Sequence, residues 1–152
     1  MLELLDEMHI KPCRKYVDIG CGDGFNTLII GQKLQCQEVH GVDIDEDRIL
    51  SASKRGIITI KADINRERLP LAENSADIVT ALEVIEHLVN PDNMLQEIYR
   101  ILKPGGYLVI TTPNLASYIN RARLLFWFSA NVFRSISIFC STKNLWQRHE
   151  IS

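Results

Sequence analysis

Between Tyr16 and Thr112 short apolar runs alternate with stretches whose apolar residues recur at helical spacing. The runs at Tyr16-Val17-Asp18-Ile19, Glu38-Val39-His40-Gly41-Val42, Ile57-Ile58-Thr59-Ile60, Asp77-Ile78-Val79-Thr80-Ala81-Leu82 and Tyr107-Leu108-Val109-Ile110-Thr111 read as five strands. The third is β-branched throughout, as a buried parallel strand should be. Between them, Phe25 to Leu34 carries Leu28, Ile29 and Leu34 at helical spacing, and Asp45 to Lys54 fits a helix with Asp45 as N-cap. A third helix opens at Asn90-Pro91, presents Met94, Leu95, Ile98, Ile101 and Leu102 on one face, and stops at Pro104-Gly105-Gly106. Strand and helix in strict alternation, joined by right-handed crossovers, predict a parallel sheet with helices on both faces. In such a sheet ligands bind beyond the carboxyl ends of the strands, near the point where strand order reverses. That rim collects Gly20 to Gly24, Asp43, Asp63, Glu83 and Thr112-Pro113-Asn114.

Composition bounds the reading without deciding it. The 152 residues, 46% apolar and 24% charged, suit one domain with a real core. A net charge of −2 gives no sign of a dedicated nucleic-acid binder. No DNA partner is expected, and RNA is not favoured. Cys13, Cys21, Cys36 and Cys140 form no C-x-x-C pair and have no histidines at zinc-finger spacing. Reduced thiols and a cytoplasmic location are therefore expected, with no disulfide framework. The first eight residues lack the basic and apolar regions of a secretory leader and read as a short amphipathic helix. Leu124 to Cys140 is apolar, but Ser129, Asn131, Arg134, Ser135 and Ser137 interrupt it, so it falls short of a membrane span.

The rim residues carry the chemistry. Glycines at 20, 22 and 24 allow a tight turn at which backbone approaches a ligand, with a helix N-terminus behind it. Asp43, about 20 residues on, can accept both hydroxyls of a ribose. Asp63 can accept from an adenine amino group while Ile64 packs on the ring. A nicotinamide-binding domain shares the turn and the ribose carboxylate. It would, however, want G-x-G-x-x-G and room for a pyrophosphate. Here the third glycine comes one residue early, and Asp18 and Asp23 put negative charge beside the turn, which repels phosphate and suits an amino group.

Taken in order, Val17-Asp18-Ile19-Gly20-Cys21-Gly22-Asp23-Gly24, Gly41-Val42-Asp43-Ile44, Lys61-Ala62-Asp63-Ile64, Leu69-Pro70-Leu71, Ser75-Ala76-Asp77-Ile78-Val79 and Leu102-Lys103-Pro104-Gly105-Gly106-Tyr107-Leu108 resemble the successive motifs of class I S-adenosylmethionine-dependent methyltransferases. The resemblance runs over roughly residues 14 to 118. It implies a Rossmann-like sheet of order 3-2-1-4-5 and a cofactor core over residues 1–114, with S-adenosylmethionine as cofactor. By the same resemblance, Asp18 and the backbone of Gly20, Cys21, Gly22 and Gly24 would hold the methionine portion. Asp43 would hold the ribose, and Ile44, Asp63 and Ile64 would surround the adenine. Glu83 would lie beneath the reacting end.

Glu83-Val84-Ile85-Glu86-His87 is the candidate for chemistry beyond the cofactor. If a helical turn begins directly after the fourth strand, Glu83, Glu86 and His87 share one face and form a candidate divalent-metal set. The segment resembles the E-x-x-E-H of small-RNA 2′-O-methyltransferases and of ubiquinone-pathway O-methyltransferases. His87 is the candidate general base. The expected function is methyl transfer to a small-molecule acceptor, with oxygen favoured. The alternatives are a non-catalytic or truncated cofactor-binding domain and a metal-assisted RNA 2′-O-methyltransferase.

Past Asn114 the pattern changes. Residues 115–152 read as an extension, with a helix over Leu115 to Phe128 and one strand within Asn131 to Cys140, where Ile136 and Ile138 alternate with Ser135 and Ser137. Arg121, Arg123, Arg134, Lys143 and Arg148 make 121–148 a candidate for peripheral membrane contact. No glycine-separated strand pair follows Thr112, so the sixth and seventh strands of the family's sheet are expected to be missing.

Overall fold

The computed structural model describes residues 13–113, 134–142 and 145–151. Along the chain come β1 (Lys15–Ile19), α1 (Phe25–Lys33), β2 (Glu38–Asp43), α2 (Glu46–Lys54), β3 (Ile58–Lys61), β4 (Ala76–Leu82), a single 3-10 turn η1 (Ile85–His87), α3 (Pro91–Ile101), β5 (Leu102–Pro113), β6 (Arg134–Thr142) and β7 (Leu145–Ile151). The sheet order is β3-β2-β1-β4-β5-β6-β7, with β1 to β5 parallel. Order reverses between β1, which starts the chain toward β3, and β4, which starts it toward β5. The turn after β1 therefore opens at the switch point.

Strand alternation sends side chains to two cores. Val17, Ile19, Val79, Ala81, Leu108 and Ile110 lie on one face under Met94, Ile98 and Ile101 of α3, all buried. Tyr16 and Ile78 point the other way, against Ile30 of α1 and Leu34. Each of the Val, Leu, Ile and Met side chains among these stabilises the fold by about 1.5–3 kcal/mol when fully buried. Polar ties fix the loops above this core. Arg100 pairs with Glu97 at 2.7 Å and donates to the carbonyls of Leu69 and Leu71, while Glu97 accepts from the Leu69 amide. Asp77 accepts from the amides of Arg14 and Lys15 and from Lys103, joining the starts of β1, β4 and β5.

Asp45 caps α2 as read, accepting from the amides of Asp47 and Arg48. Asn90 precedes α3, but its side chain makes no cap bond; it turns to the Asn65 carbonyl instead, at 3.4 Å. Extended backbone starts at Leu102, five residues before the strand read from sequence. It passes through Pro104-Gly105-Gly106 with a break in register between Ala76 and Ile78 of β4.

The expectation that strands six and seven are missing is corrected. β6 lies antiparallel to β5, pairing Ile138 with Val109, and β7 lies antiparallel to β6, pairing His149 with Ile138. The alternation at 135–138 marked β6. β7 was hidden because Leu145-Trp146-Gln147-Arg148-His149-Glu150-Ile151 is mostly polar and only two residues separate it from β6. The absence of disulfides is also corrected. Cys13 and Cys36 are bonded, because the amide of Gln37 donates to the Cys13 carbonyl where β1 and β2 begin, and this sets their Cα atoms 4.6 Å apart. The helix expected over Leu115 to Phe128, the one expected in the first eight residues and most of the basic 121–148 stretch lie outside the described residues. Among the described residues, no helix is long and apolar enough to cross a membrane.

Candidate active site

The loops after β1, β2, β3 and β4 enclose one cavity of about 250 Å³ at the carboxyl edge of the sheet. It brings together seven residues predicted from sequence: Gly20, Asp43, Ile44, Asp63, Ile64, Glu83 and His87. Arg48, Asn65, Val84 and Leu88 also line it and were not predicted.

The glycine turn works in two ways. Gly20 (φ +74) lies directly against Val84, so any Cβ there would collide with the Val84 methyl. Its lack of a side chain thus brings the turn after β1 into contact with the segment after β4. Gly22 (φ +55) has open space where a Cβ would stand, and its amide donates to Asp43 Oδ2 at 2.9 Å. The other Asp43 oxygen accepts from the Asp45 amide at 3.0 Å. Two backbone donors therefore hold this carboxylate half-buried on the cavity wall, each oxygen keeping a further lone pair for a ligand hydroxyl.

At the end of the neighbouring strand β3, Asp63 Oδ1 accepts from the amide and the side-chain Nδ2 of Asn65, both at 3.0 Å. The Asn65 side chain, foremost, holds the Asp63 carboxyl below the usual aspartate range. Ile64 packs into the main core beneath, whereas Ile44 is 61% exposed, with free apolar surface at the cavity.

Asp18 is 3% exposed and does not line the cavity. Alternation along β1 turns it to the face of Tyr16, under α1. There its two oxygens accept from Thr27 Oγ1 and Thr80 Oγ1, both at 2.5 Å. Because Thr80 spends its proton on Asp18, the Tyr16 hydroxyl, 2.8 Å away, donates to Thr80. Burial raises the Asp18 pKa to about 6, against the lowering effect of the two threonines. Cys21 is likewise turned inward, against Gly41, and burial pushes its thiol up to about 12. Gly24 packs against Ile57 and Ala52, away from the cavity.

Glu83 follows β4 with φ +56, a left-handed conformation uncommon outside glycine. Thr111 at the end of β5 holds it there. Thr111 Oγ1 donates to Glu83 Oε1 at 2.9 Å and accepts from the Glu83 amide at 3.1 Å. Thr111 was missed at the sequence level. The available signal was its place opposite Leu82 in neighbouring parallel strands, which puts it beside the residue that follows.

This conformation also overturns the shared face expected for Glu83, Glu86 and His87. No helical turn begins at Glu83, and the three-residue η1 starts only at Ile85. Glu86 and His87 are exposed, and Glu86 is not on the cavity. Among the described residues no group of three or more His, Cys, Asp or Glu side chains comes together as a metal site. The proposed metal set does not fit a bound divalent ion.

A family profile described as "Methyltransferase domain" matches residues 17–110. A protein of Mycolicibacterium smegmatis named as a probable S-adenosylmethionine-dependent methyltransferase is 32% identical over 108 residues, spanning 69% of this chain and 40% of its own. The ubiquinone biosynthesis O-methyltransferase of Marinobacter nauticus is 29% identical over 120 residues, 74% of this chain and 50% of its own. The crystal structure of an S-adenosylmethionine-dependent methyltransferase from Thermotoga maritima superposes with a TM-score of 0.62 at 29% identity, covering 82% of this chain and 55% of that one. This chain thus spans between one third and one half of the curated relatives it matches. Its sheet order, its switch-point cavity and these matches agree: the chain belongs to the class I S-adenosylmethionine-dependent methyltransferase family.

Proposed function

We propose that this chain binds S-adenosylmethionine in the switch-point cavity and transfers its methyl group to a small-molecule acceptor, at an oxygen. One observation carries the reading. Asp43 and Asp63 follow one another at the carboxyl ends of the adjacent strands β2 and β3 and line one cavity, each already oriented by amide donors, with Ile44 and Ile64 beside them. Two fixed acceptors flanked by apolar surface suit an adenosine, whose ribose hydroxyls and amino group are donors.

In this reading Asp43 takes the ribose hydroxyls and Asp63 the adenine amino group, while Ile44 and Ile64 cover the ring. The backbone from Gly20 to Gly22 lies along the methionine portion. Asp18, buried behind that turn, contributes negative charge through the wall toward the ammonium and sulfonium. Glu83 lies beneath the reacting end and adds to that charge. When bound, the cofactor supplies a methyl group on a sulfonium, ready for in-line displacement. The work of the protein is to align the acceptor with that methyl group. His87, exposed at the cavity rim, is the group placed to take the proton of an acceptor hydroxyl. The cofactor-binding part is proposed as residues 1–114, and within the 115–152 extension β6 and β7 continue its sheet. Peripheral membrane contact through 121–148 belongs to this proposal, while the Cys13–Cys36 bond removes the ground on which a cytoplasmic location was expected.

Purified protein incubated with methyl-labelled cofactor and a metabolite extract should yield a labelled small molecule, and His87→Ala should slow labelling without weakening cofactor binding. Binding without any labelled product would favour the second reading, a cofactor-binding domain that does not turn over. Labelled RNA in place of a small molecule would contradict the acceptor class.

A further inference from the structure

The side chain of Asn65 joins two walls of the cavity. Its Nδ2 donates to Asp63 Oδ1 at 3.0 Å on the β3 side. Its Oδ1 accepts from the amides of Val89 at 3.0 Å and Asn90 at 3.2 Å, just past η1. Chemistry fixes both ends of this bridge. A carboxylate can only accept and a backbone amide can only donate, so the primary amide is held in one orientation. A second strap runs alongside, from Asn93 Nδ2 to the Ile64 carbonyl at 2.8 Å. The segment gripped by Asn65 follows directly on Glu83, Val84 and His87, which form the reacting end of the cavity.

We propose that Asn65 is a positioning residue for the cofactor reaction: one amide orients Asp63 for the adenosine end and sets where the segment from Glu83 to Asn90 lies at the reacting end. The inference rests on the cofactor reading above. It makes a specific chemical demand, a donor toward Asp63 and an acceptor toward Val89 and Asn90 within one short side chain. Alanine supplies neither. An ionised carboxylate supplies the acceptor but faces Asp63 with like charge. A protonated carboxyl supplies both, its O–H toward Asp63 and its carbonyl toward the amides. The charged groups around the site are Asp63 and Arg66 on the same turn, where Arg66 Nε is 3.8 Å from Asp63 Oδ2. Asp43, Arg48, Glu83 and His87 face it across the cavity, and α3 contributes the uncharged Asn93. Wild type titrates all of these too, so the ratio of variant to wild type isolates the new carboxyl.

The test is calorimetry of S-adenosylmethionine on the full chain at pH 8 and pH 5.5, with circular dichroism of each sample. At pH 8, Asn65→Asp and Asn65→Ala should both bind about tenfold or more weaker than wild type, the loss expected for a charge-assisted bond within a coupled pair. At pH 5.5, Asn65→Asp should recover to within about threefold of wild type, while Asn65→Ala should not. A purely structural role would give both variants the same ratio at both pH values, and that result overturns the proposal. So does binding by Asn65→Ala within about twofold of wild type at pH 8. Should Asn65→Asp fail to fold at pH 8, the two variants compared at pH 5.5 decide: recovery of Asn65→Asp beside a weak Asn65→Ala supports the proposal, and equal ratios overturn it. Failure of wild type to bind overturns the cofactor reading itself, a different outcome from a wild type that binds alongside variants that bind equally well.

Discussion

Gly20→Ala introduces two separable costs. The first is conformational: at φ +74 an L side chain is strained by about 1–2 kcal/mol. The second is steric, since the new Cβ collides with one Val84 methyl and meets two further Val84 carbons at 3.6 Å. Overpacking of this kind costs about 1–3 kcal/mol. Together they should lower the unfolding free energy by about 2–5 kcal/mol. Val84→Ala alone should cost about 1–2 kcal/mol, since its side chain is only partly buried. In the double variant the collision is gone and only the backbone strain and the lost methyls remain. The two changes should therefore be non-additive by about 1–3 kcal/mol, in the direction of mutual rescue. Gly22→Ala serves as the control. It has φ +55 with nothing near its Cβ, so the strain of about 1–2 kcal/mol is its whole cost. Urea titrations with unchanged slope measure all four variants. Additivity within about 0.5 kcal/mol would refute the claim that Gly20 is required by Val84.

Thr111→Val keeps shape and removes the hydroxyl that both donates to and accepts from Glu83, so S-adenosylmethionine affinity should fall about tenfold while Thr111→Ser stays near wild type. Equal affinity of Thr111→Val and wild type would remove Glu83 from the cofactor site. Asp18 predicts a pH effect of defined sign. Its folded pKa, about 6, lies above the ordinary 3.8, so the native state holds the proton more tightly than the unfolded chain. Stability from this group is full below pH 4, declines as pH rises, and has fallen by about 3 kcal/mol above pH 6. Subtracting the Asp18→Asn profile from that of wild type cancels the other carboxylates and should leave that decline. A flat difference would show that Asp18 is not buried as described.

The parallel sheet was legible because its strands announce themselves. Ile57 to Ile60 is β-branched throughout, and Asp45 and Gly56 punctuate the helix before it, but the burial read from that run is corrected, since β3 is the edge of the sheet and Ile58 is exposed. The cavity was legible as a rim, since a carboxylate at the end of a parallel strand must face its carboxyl edge, as Asp43 does. Direction within the rim was harder to read. Asp18 has the right position in sequence, but β1 alternation turns it beneath α1, where Thr27 and Thr80 claim it. Glu83, Glu86 and His87 were read on a helical period, yet the left-handed turn at Glu83 breaks that period before it starts. Thr111 carries no local signal, because its partner lies 28 residues away, and for Asn65 only the bond to Asp63 is local, while Val89 lies 24 residues on. The Cys13–Cys36 bond depends on the same kind of distant pairing, across the start of two neighbouring strands.

The central claim is that the cavity between Asp43 and Asp63 is built for S-adenosylmethionine, and equilibrium calorimetry tests it most directly. Wild type should bind S-adenosylmethionine and release no measurable heat with NAD. Asp43→Ala, which removes the acceptor oriented by Gly22 and Asp45, should weaken binding about tenfold or more. No binding of S-adenosylmethionine by wild type, or binding of NAD as tight, would contradict the account.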